Sequence, residues 1–365
     1  MVNPINNDDA ALMLSKFGTK YLAEGAHTDV SASQFVAQVA TTLTVLTGGD
    51  AAISDNSKDY LASMSLGSVE LKAGALIVAP NGESFKSITV ATGGALVAYN
   101  SVVEGVKPGS FVGLLDTYPD AAAAYSLRRL RANYSGSAIR VRRTDNTEQD
   151  IGFLNNELDT TSLLSFVGSG DGFVATWYDQ SGNGKDFSIS AANLQPSIVN
   201  NGSVILDNSK PSVAFNGTSN YLTSPSLNLG NTTTYFNVYR GLTDGTEIPF
   251  DGDSSTNRQL PIFMFGNKFN INGGASAASG QASNLNQNLH VTSFDTLDNT
   301  FTNGVQEITN ANTGNHTVTG ALMANNFNLS LPAHIKMQEL IIYNSNKLTD
   351  RSAIEKNIND FYLIY

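Results

Sequence analysis

From Ser68 onward the chain alternates. Val69, Leu71 and Ala73 take turns with Ser68, Glu70 and Lys72, the period of a strand that turns one face inward. Leu76-Ile77-Val78 then runs into Pro80-Asn81-Gly82, and Asn-Gly is a strong hairpin signal. Phe85, Ile88 and Val90 follow, Gly93-Gly94 marks another turn, and Ala95 to Tyr99 completes the pattern. A small antiparallel β-domain is predicted over residues 66–105, with Glu104 to Gly109 as a linker.

Residues 1–65 read differently. Asp8-Asp9 followed by apolar residues at helical spacing up to Phe17 predicts a helix with an acidic first turn. Ser33 to Leu46, rich in Ala, Val, Thr and Gln, is ambiguous between helix and strand. Its small side chains suit packing against other copies, so 1–65 is expected to anchor or oligomerise the chain.

Beyond the linker, an Ala run predicts a helix over Asp120 to Leu130. Short β-prone segments follow, punctuated by Gly182-Asn183-Gly184, Asn216-Gly217, Gly273-Gly274 and Asn303-Gly304. Many short strands with such turns mean a sandwich or barrel over 111–365. Phe173, Ala175 and Trp177 alternate as core positions. After Thr349, a candidate N-cap, Ile354, Ile358 and Phe361 form a helical stripe.

Composition narrows the class. Charged residues are only 15% of the 365, as in β-proteins with uncharged polar surfaces. A formal net charge of −11 argues against nucleic acid as the main partner, since phosphate binding needs a basic face. One stretch runs against that balance: Arg128, Arg129, Arg131, Arg140, Arg142 and Arg143. It reads either as a strand pair whose arginines meet Asp145, Glu148 and Asp150, or as a site for an anion or glycan acid. There is no cysteine, hence no disulfide framework and no Cys-based metal site. MVNPINNDDAALML lacks the order of a signal peptide, and no stretch approaches the roughly 18 apolar residues of a membrane span. The expectation is a protein made in a host cytoplasm without membrane association.

Two stretches carry a resemblance. AAAYSLRRLRANYSGSAIRVRRTDNTEQDIGF from Ala122, then FVATWYDQSGNG from Phe173, resembles the amino-terminal part of the fungal α-L-arabinofuranosidase B catalytic domain, itself a concanavalin-like sandwich. The same cassette is similar to one in phage and bacterial surface proteins that lack the rest of the enzyme. His290 to Asp295 with Phe301 to Val305, and Ile335 to Asn344 before Leu348-Thr349-Asp350, resemble the hairpin, closing strand and final helix of laminin-G-like domains. The fold implied is mainly β: a C-terminal antiparallel jelly-roll β-sandwich preceded by the small β-domain and a partly helical N-terminal segment.

The function implied is structural. The chain is expected on a phage virion, as capsid decoration, head fibre or tail-associated adhesin, with other virion proteins as partners and a homo-oligomer, by analogy a trimer, as its assembly. Host-surface glycan is the expected ligand of a lectin-like sandwich. The alternatives are a glycoside hydrolase of arabinofuranosidase type and a secreted bacterial carbohydrate-binding adhesin.

Candidate chemistry is sparse. A retaining glycosidase needs two carboxyl groups about 5–5.5 Å apart. The resemblance places its nucleophile in a segment of the type C-C-F-D-Y-G-N-A-E, which is absent here, so the chain is expected not to be an enzyme. The nearest offering is Asp244, Glu247, Asp251 and Asp253 in GLTDGTEIPFDGDSS. That cluster reads as a solvated loop, as a calcium site built on Asp244, Asp251 and Asp253, or as a catalytic pair. No other cofactor is expected. Tyr178-Asp179-Gln180-Ser181-Gly182 reads as an Asx-type turn after a buried strand, and Tyr178, Asp179, Gln180 and Asn183 are the candidate glycan contacts. His27, His290, His316 and His334 have no metal-ligand spacing, and the chain has no G-x-S-x-G, phosphate-loop or H-E-x-x-H motif.

Overall fold

The computed structural model describes residues 111–274 and 277–365, and before them the segments 19–22, 25–27, 34–37, 41–50, 58–59, 68–71, 76–78, 83–90 and 96–99. The chain divides into two compact units, Met1–Phe111 and Val112–Tyr365.

In the first unit, strands Thr19–Leu22, Leu96–Tyr99, Gln34–Ala37 and Leu76–Val78 lie side by side in that order. A second sheet runs Gly25–His27, Glu83–Val90, Thr41–Asp50 and Lys58–Asp59, with Val69–Leu71 also paired to Thr41–Asp50. Ile88 and Val90 alternate inward, and Leu43 and Leu46 are buried opposite them because the register shifts by one residue between Leu43 and Val45. Stretches 1–65 and 66–105 therefore share sheets instead of folding apart. The ambiguous Ser33 to Leu46 stretch contributes two strands. Leu76–Val78 and Glu83–Val90 flank Asn81-Gly82 but belong to different sheets, because each finds partners distant in sequence; the expected hairpin does not form. The helix expected over Asp8 to Phe17 lies outside the described residues.

The second unit is built on one long antiparallel ladder. It runs Phe250–Gly252, Val318–Met323, Leu222–Leu229, Phe187–Ser188, Gly172–Trp177, Ser197–Asn200, Val213–Asn216, His334–Tyr343, Thr233–Gly241, Gln287–Phe294, Asp298–Thr302, Val305–Ala311. The ladder curls over on itself. Phe250, from its far end, brings its ring centroid to 5.3 Å from Tyr235 in the middle, and both belong to the core between the two halves. The unit is thus a β-sandwich.

His334–Tyr343 sits centrally, paired on both sides, and its run from Met337 to Tyr343 is buried throughout. One face meets the sandwich core. The other, through Ile341 and Tyr343, meets Ile354, Ile358 and Tyr362 of the helix Arg351–Tyr362. That helix starts after Asp350, one residue beyond the expected Thr349. Asn303 (φ 51°) and Gly304 (φ 79°) make the two-residue turn between Thr302 and Val305, the left-handed pair a tight hairpin demands.

Two expectations change. Ala121–Ser126 is a strand beside His334–Tyr343, not a helix. Its alanines are nearly all buried: Ala123 joins the sandwich core on one face, Ala121 and Ala124 the cluster with the closing helix on the other, and packing overrides helix propensity. In Gly172–Trp177 the alternation breaks. Arg140 pairs with Thr176 and Val141 with Val174, which leaves Ala175 as an extra residue. Such a bulge switches faces: Val174 and Trp177 enter the core, while Phe173 stands beside Arg142.

Candidate functional site

The Tyr178–Gly182 turn is a clasp. Asp179 is buried, and its carboxylate accepts from the backbone N–H of Ala124 (2.9 Å), Ser181 (2.8 Å) and Lys185 (3.1 Å) and from the Ser181 hydroxyl (2.7 Å). Its own N–H donates to Asp186, whose carboxyl is raised by burial. Gln180, wholly buried, accepts from Leu130 N–H and donates to the carbonyls of Ser126 and Arg128. Asn183 donates to the carbonyls of Ala121 and Ala122. These three side chains spend their polar atoms on holding Ala121–Ser126 and the segment after it. Tyr178 differs: its hydroxyl reaches outward to Asp150 at 2.7 Å.

The arginines separate into roles. Arg140 pairs with Asp150 and Arg143 with Asp145 on the surface. Arg128 is buried against Glu339, with Nε and Nη2 each on a carboxylate oxygen, and Tyr362 beside them. Arg142 has no such partner among the described residues. Its Nε donates to Gln195 Oε1 (2.7 Å), Nη1 to Arg143 O (3.1 Å) and Asn146 Oδ1 (3.2 Å), and Nη2 to Ala192 O (3.2 Å).

Arg142 and Phe173, made neighbours by the bulge, form the floor of a groove of 460 Å³. The turn Ala192–Leu194 supplies Asn193 at its rim, and Gln195 is held under it by a bond to Ile189 O. Asn216 and Asn220 line the other side, fixed by a loop in which Asn216 Oδ1 accepts from the N–H of Thr218, Ser219 and Asn220. Amides, one guanidinium and one aromatic ring suit a polar, ring-shaped ligand. A larger cleft of 680 Å³ is lined largely by Leu154, Leu158, Leu164, Val204, Leu206 and Pro211; its acid, Glu157, is paired with Lys210. The groove was missed in the sequence because its residues come from four separate segments.

The acidic loop does not gather. Asp244 and Asp253 are exposed. Asp251 is buried, takes Arg258 on both oxygens and accepts from Phe327 N–H. Among the described residues no three acidic or histidine side chains meet to hold a metal. The set Asp244, Asp251 and Asp253 is therefore not assembled as a calcium site, since Arg258 occupies its one buried member. Glu247 is the buried acid that remains. Burial raises its pKa, against hydrogen bonds from the Thr243 hydroxyl and His334 N–H.

Glu247 adjoins a polar seam inside the sandwich, also missed in the sequence. Asn237 and His290 are cross-strand partners. The Asn237 amide, Tyr239 hydroxyl, His290 Nε2 and Thr300 hydroxyl are buried without a hydrogen-bond partner among the described residues, while His290 Nδ1 lies 2.8 Å from Thr302 Oγ1. Burial pushes the His290 imidazole down to about 3 and raises Tyr239, which the charge of Glu247 raises further. The hint in the sequence was Asn237 inside the run Tyr235 to Tyr239.

No protein-family model matches the chain, and no curated protein matches it. Among solved structures, a mutant GH54 α-L-arabinofuranosidase soaked with 4-nitrophenyl α-L-arabinofuranoside aligns with TM-score 0.52 at 14% identity, over 65% of this chain and 62% of its own. A GH54 α-L-arabinofuranosidase soaked with a cyclic sulfate inhibitor gives 0.49 at 13%, with the same coverage. Trypanosoma rangeli sialidase gives 0.37 at 14%, over 52% of this chain and 31% of its own. The chain thus spans less than two thirds of the arabinofuranosidases it resembles. The arabinofuranosidase that aligns at TM-score 0.52 corrects one expectation: the absence of a single catalytic segment does not exclude an enzyme, since that fold neighbour is one and at 14% identity a missing motif excludes nothing. What the likeness establishes is the fold: a β-sandwich of the kind found in arabinofuranosidases.

Proposed function

We propose that residues 112–365 act on carbohydrate, with the Arg142–Phe173 groove as the recognition site, and that the chain carries this sandwich on the exterior of a virus particle. One observation carries the carbohydrate reading: the groove sets the amides of Asn193 and Asn220 beside an Arg-stacked aromatic ring. Planar amides match sugar hydroxyls, and the fold neighbour was soaked with an arabinofuranoside. The virion placement, with capsid or tail partners and a homo-oligomer, draws on the uncharged polar composition and the division into two units.

The whole chain on an array of neutral and acidic glycans tests the first part. Retention of at least one glycan class, weakened by Asn220→Ala, is expected; retention of none overturns it. Immunogold labelling of particles from the source tests the placement.

A second reading is hydrolysis, favoured by Glu247, a buried acid held protonated more readily than an ordinary carboxyl. Release of 4-nitrophenol from an aryl arabinofuranoside, lost in Glu247→Gln, would establish it. Absence of turnover in the wild type would remove it.

A further inference from the structure

We infer that the groove binds the carboxylate of an acidic sugar unit, a uronic or sialic acid, on Arg142; this deepens the carbohydrate reading above and rests on it. Electrostatics supplies the first argument. The chain has 32 acidic residues against 21 Lys and Arg, yet the groove holds a cation and no acid among its lining residues.

The second argument is a comparison among the arginines. Arg128, Arg140, Arg143, Arg240, Arg258 and Arg351 each have a carboxylate partner. Arg142 is 9% exposed, and the four acceptors around it are all neutral. A guanidinium carries five N–H groups, so one on Nη2 remains. A buried charge without a counter-charge is costly, and a ligand carboxylate relieves that cost while matching the planar fork.

The third argument is independent of charge. Asn220 lines the same groove at 6% exposure; its Oδ1 accepts from Asn216 N–H, while its Nδ2 forms no hydrogen bond among the described residues. That amide donor opens into the groove, where a ligand carboxylate or ring hydroxyl supplies an acceptor.

Calorimetric titration of the whole chain with trigalacturonate, 3′-sialyllactose and lactose tests this. At least one acidic probe should bind about tenfold tighter than lactose and weaken with salt. Which acidic probe binds separates the uronic from the sialic source. Asn193→Asp places a carboxylate at the rim and touches none of Arg142's bonds; it should weaken acidic binding about tenfold, by clearly more than it changes lactose binding. Trp177 fluorescence verifies that this variant is folded. Lactose binding as tight as the acids, sensitive to Asn220→Ala, overturns the acidic preference and leaves carbohydrate recognition standing. Acidic binding indifferent to Asn193→Asp, or no acidic binding, overturns the inference, while the glycan array decides the wider reading separately.

Discussion

The Arg142 guanidinium stands 4.7 Å from the ring centroid of Phe173, its partner on the next strand. The contact exists because Ala175 is bulged out of the ladder, which turns Phe173 away from the face that Trp177 occupies. With unbroken alternation Phe173 would share the core face with Trp177, and the register running from Ile139–Trp177 would set Arg142 opposite Val174.

Phe173→Leu keeps an apolar side chain and removes the ring. Stability should fall by about 0.5–1 kcal/mol, the value of a partly exposed cation–π contact. Urea unfolding read by Trp177, the single tryptophan and fully buried, measures it. An unchanged midpoint would mean the stacking is incidental.

Glu339 lies wholly buried against Arg128 and near the Tyr362 hydroxyl. Glu339→Gln leaves Arg128 without its counter-charge and should cost about 3–5 kcal/mol. Arg128→Met combined with Glu339→Leu should cost less than the two single changes summed, because no charge is left stranded. A double-mutant cycle in urea gives the coupling; strict additivity would contradict the buried pair.

Asp179→Ala strips the acceptor from three backbone N–H groups and a hydroxyl. The loss should be roughly 3 kcal/mol or more, at about 1–3 kcal/mol for each stranded buried donor. Asn183→Ala, at an exposed site, should cost about 1 kcal/mol. If Asp179→Ala kept wild-type stability but lost glycan binding, the turn would belong to the ligand site instead of serving as a clasp.

Two buried groups give stability opposite dependences on acidity. His290 titrates at about 3 in the fold against 6.5 unfolded, so the unfolded chain binds the extra proton between those values. Stability from this group falls as pH drops through that window. Asp251, raised by burial to about 6 against the pull of Arg258, keeps its proton in the fold while the unfolded chain loses it near 3.8. Stability from this group falls as pH rises from 3.8 to about 6. Melting temperatures from pH 3 to 8 should show a flatter acid limb in His290→Gln and a flatter rise-linked loss in Asp251→Asn. A His290→Gln profile parallel to wild type would remove the imidazole from the account.

Much of the fold was legible because its signals are local. Asn303-Gly304 allows few conformations besides a tight turn, Leu340 to Tyr343 is too apolar to face water, and Ile354 and Ile358 mark one helical face. The surface pairs Arg140–Asp150 and Arg143–Asp145 were legible for the same reason, lying close in sequence. The Ala121–Ser126 strand was not legible, since alanine prefers a helix until a neighbouring strand and a covering layer outweigh that preference. Nor was the separation of Leu76–Val78 from Glu83–Val90, which depends on partners elsewhere in the chain.

By itself the sequence determined a strand-rich chain, the sandwich of its C-terminal part, its closing helix and a turn at Asp179, all consequences of periodicity and short-range hydrogen bonding. Only the tertiary structure decided which polar residues are free. It spent Asp179, Gln180 and Asn183 on backbone, tied Asp251 to Arg258, and left Arg142 among neutral acceptors beside Asn220. That outcome depends on a one-residue bulge and on loops far apart in the chain meeting at one groove, and no local pattern encodes a distance between them.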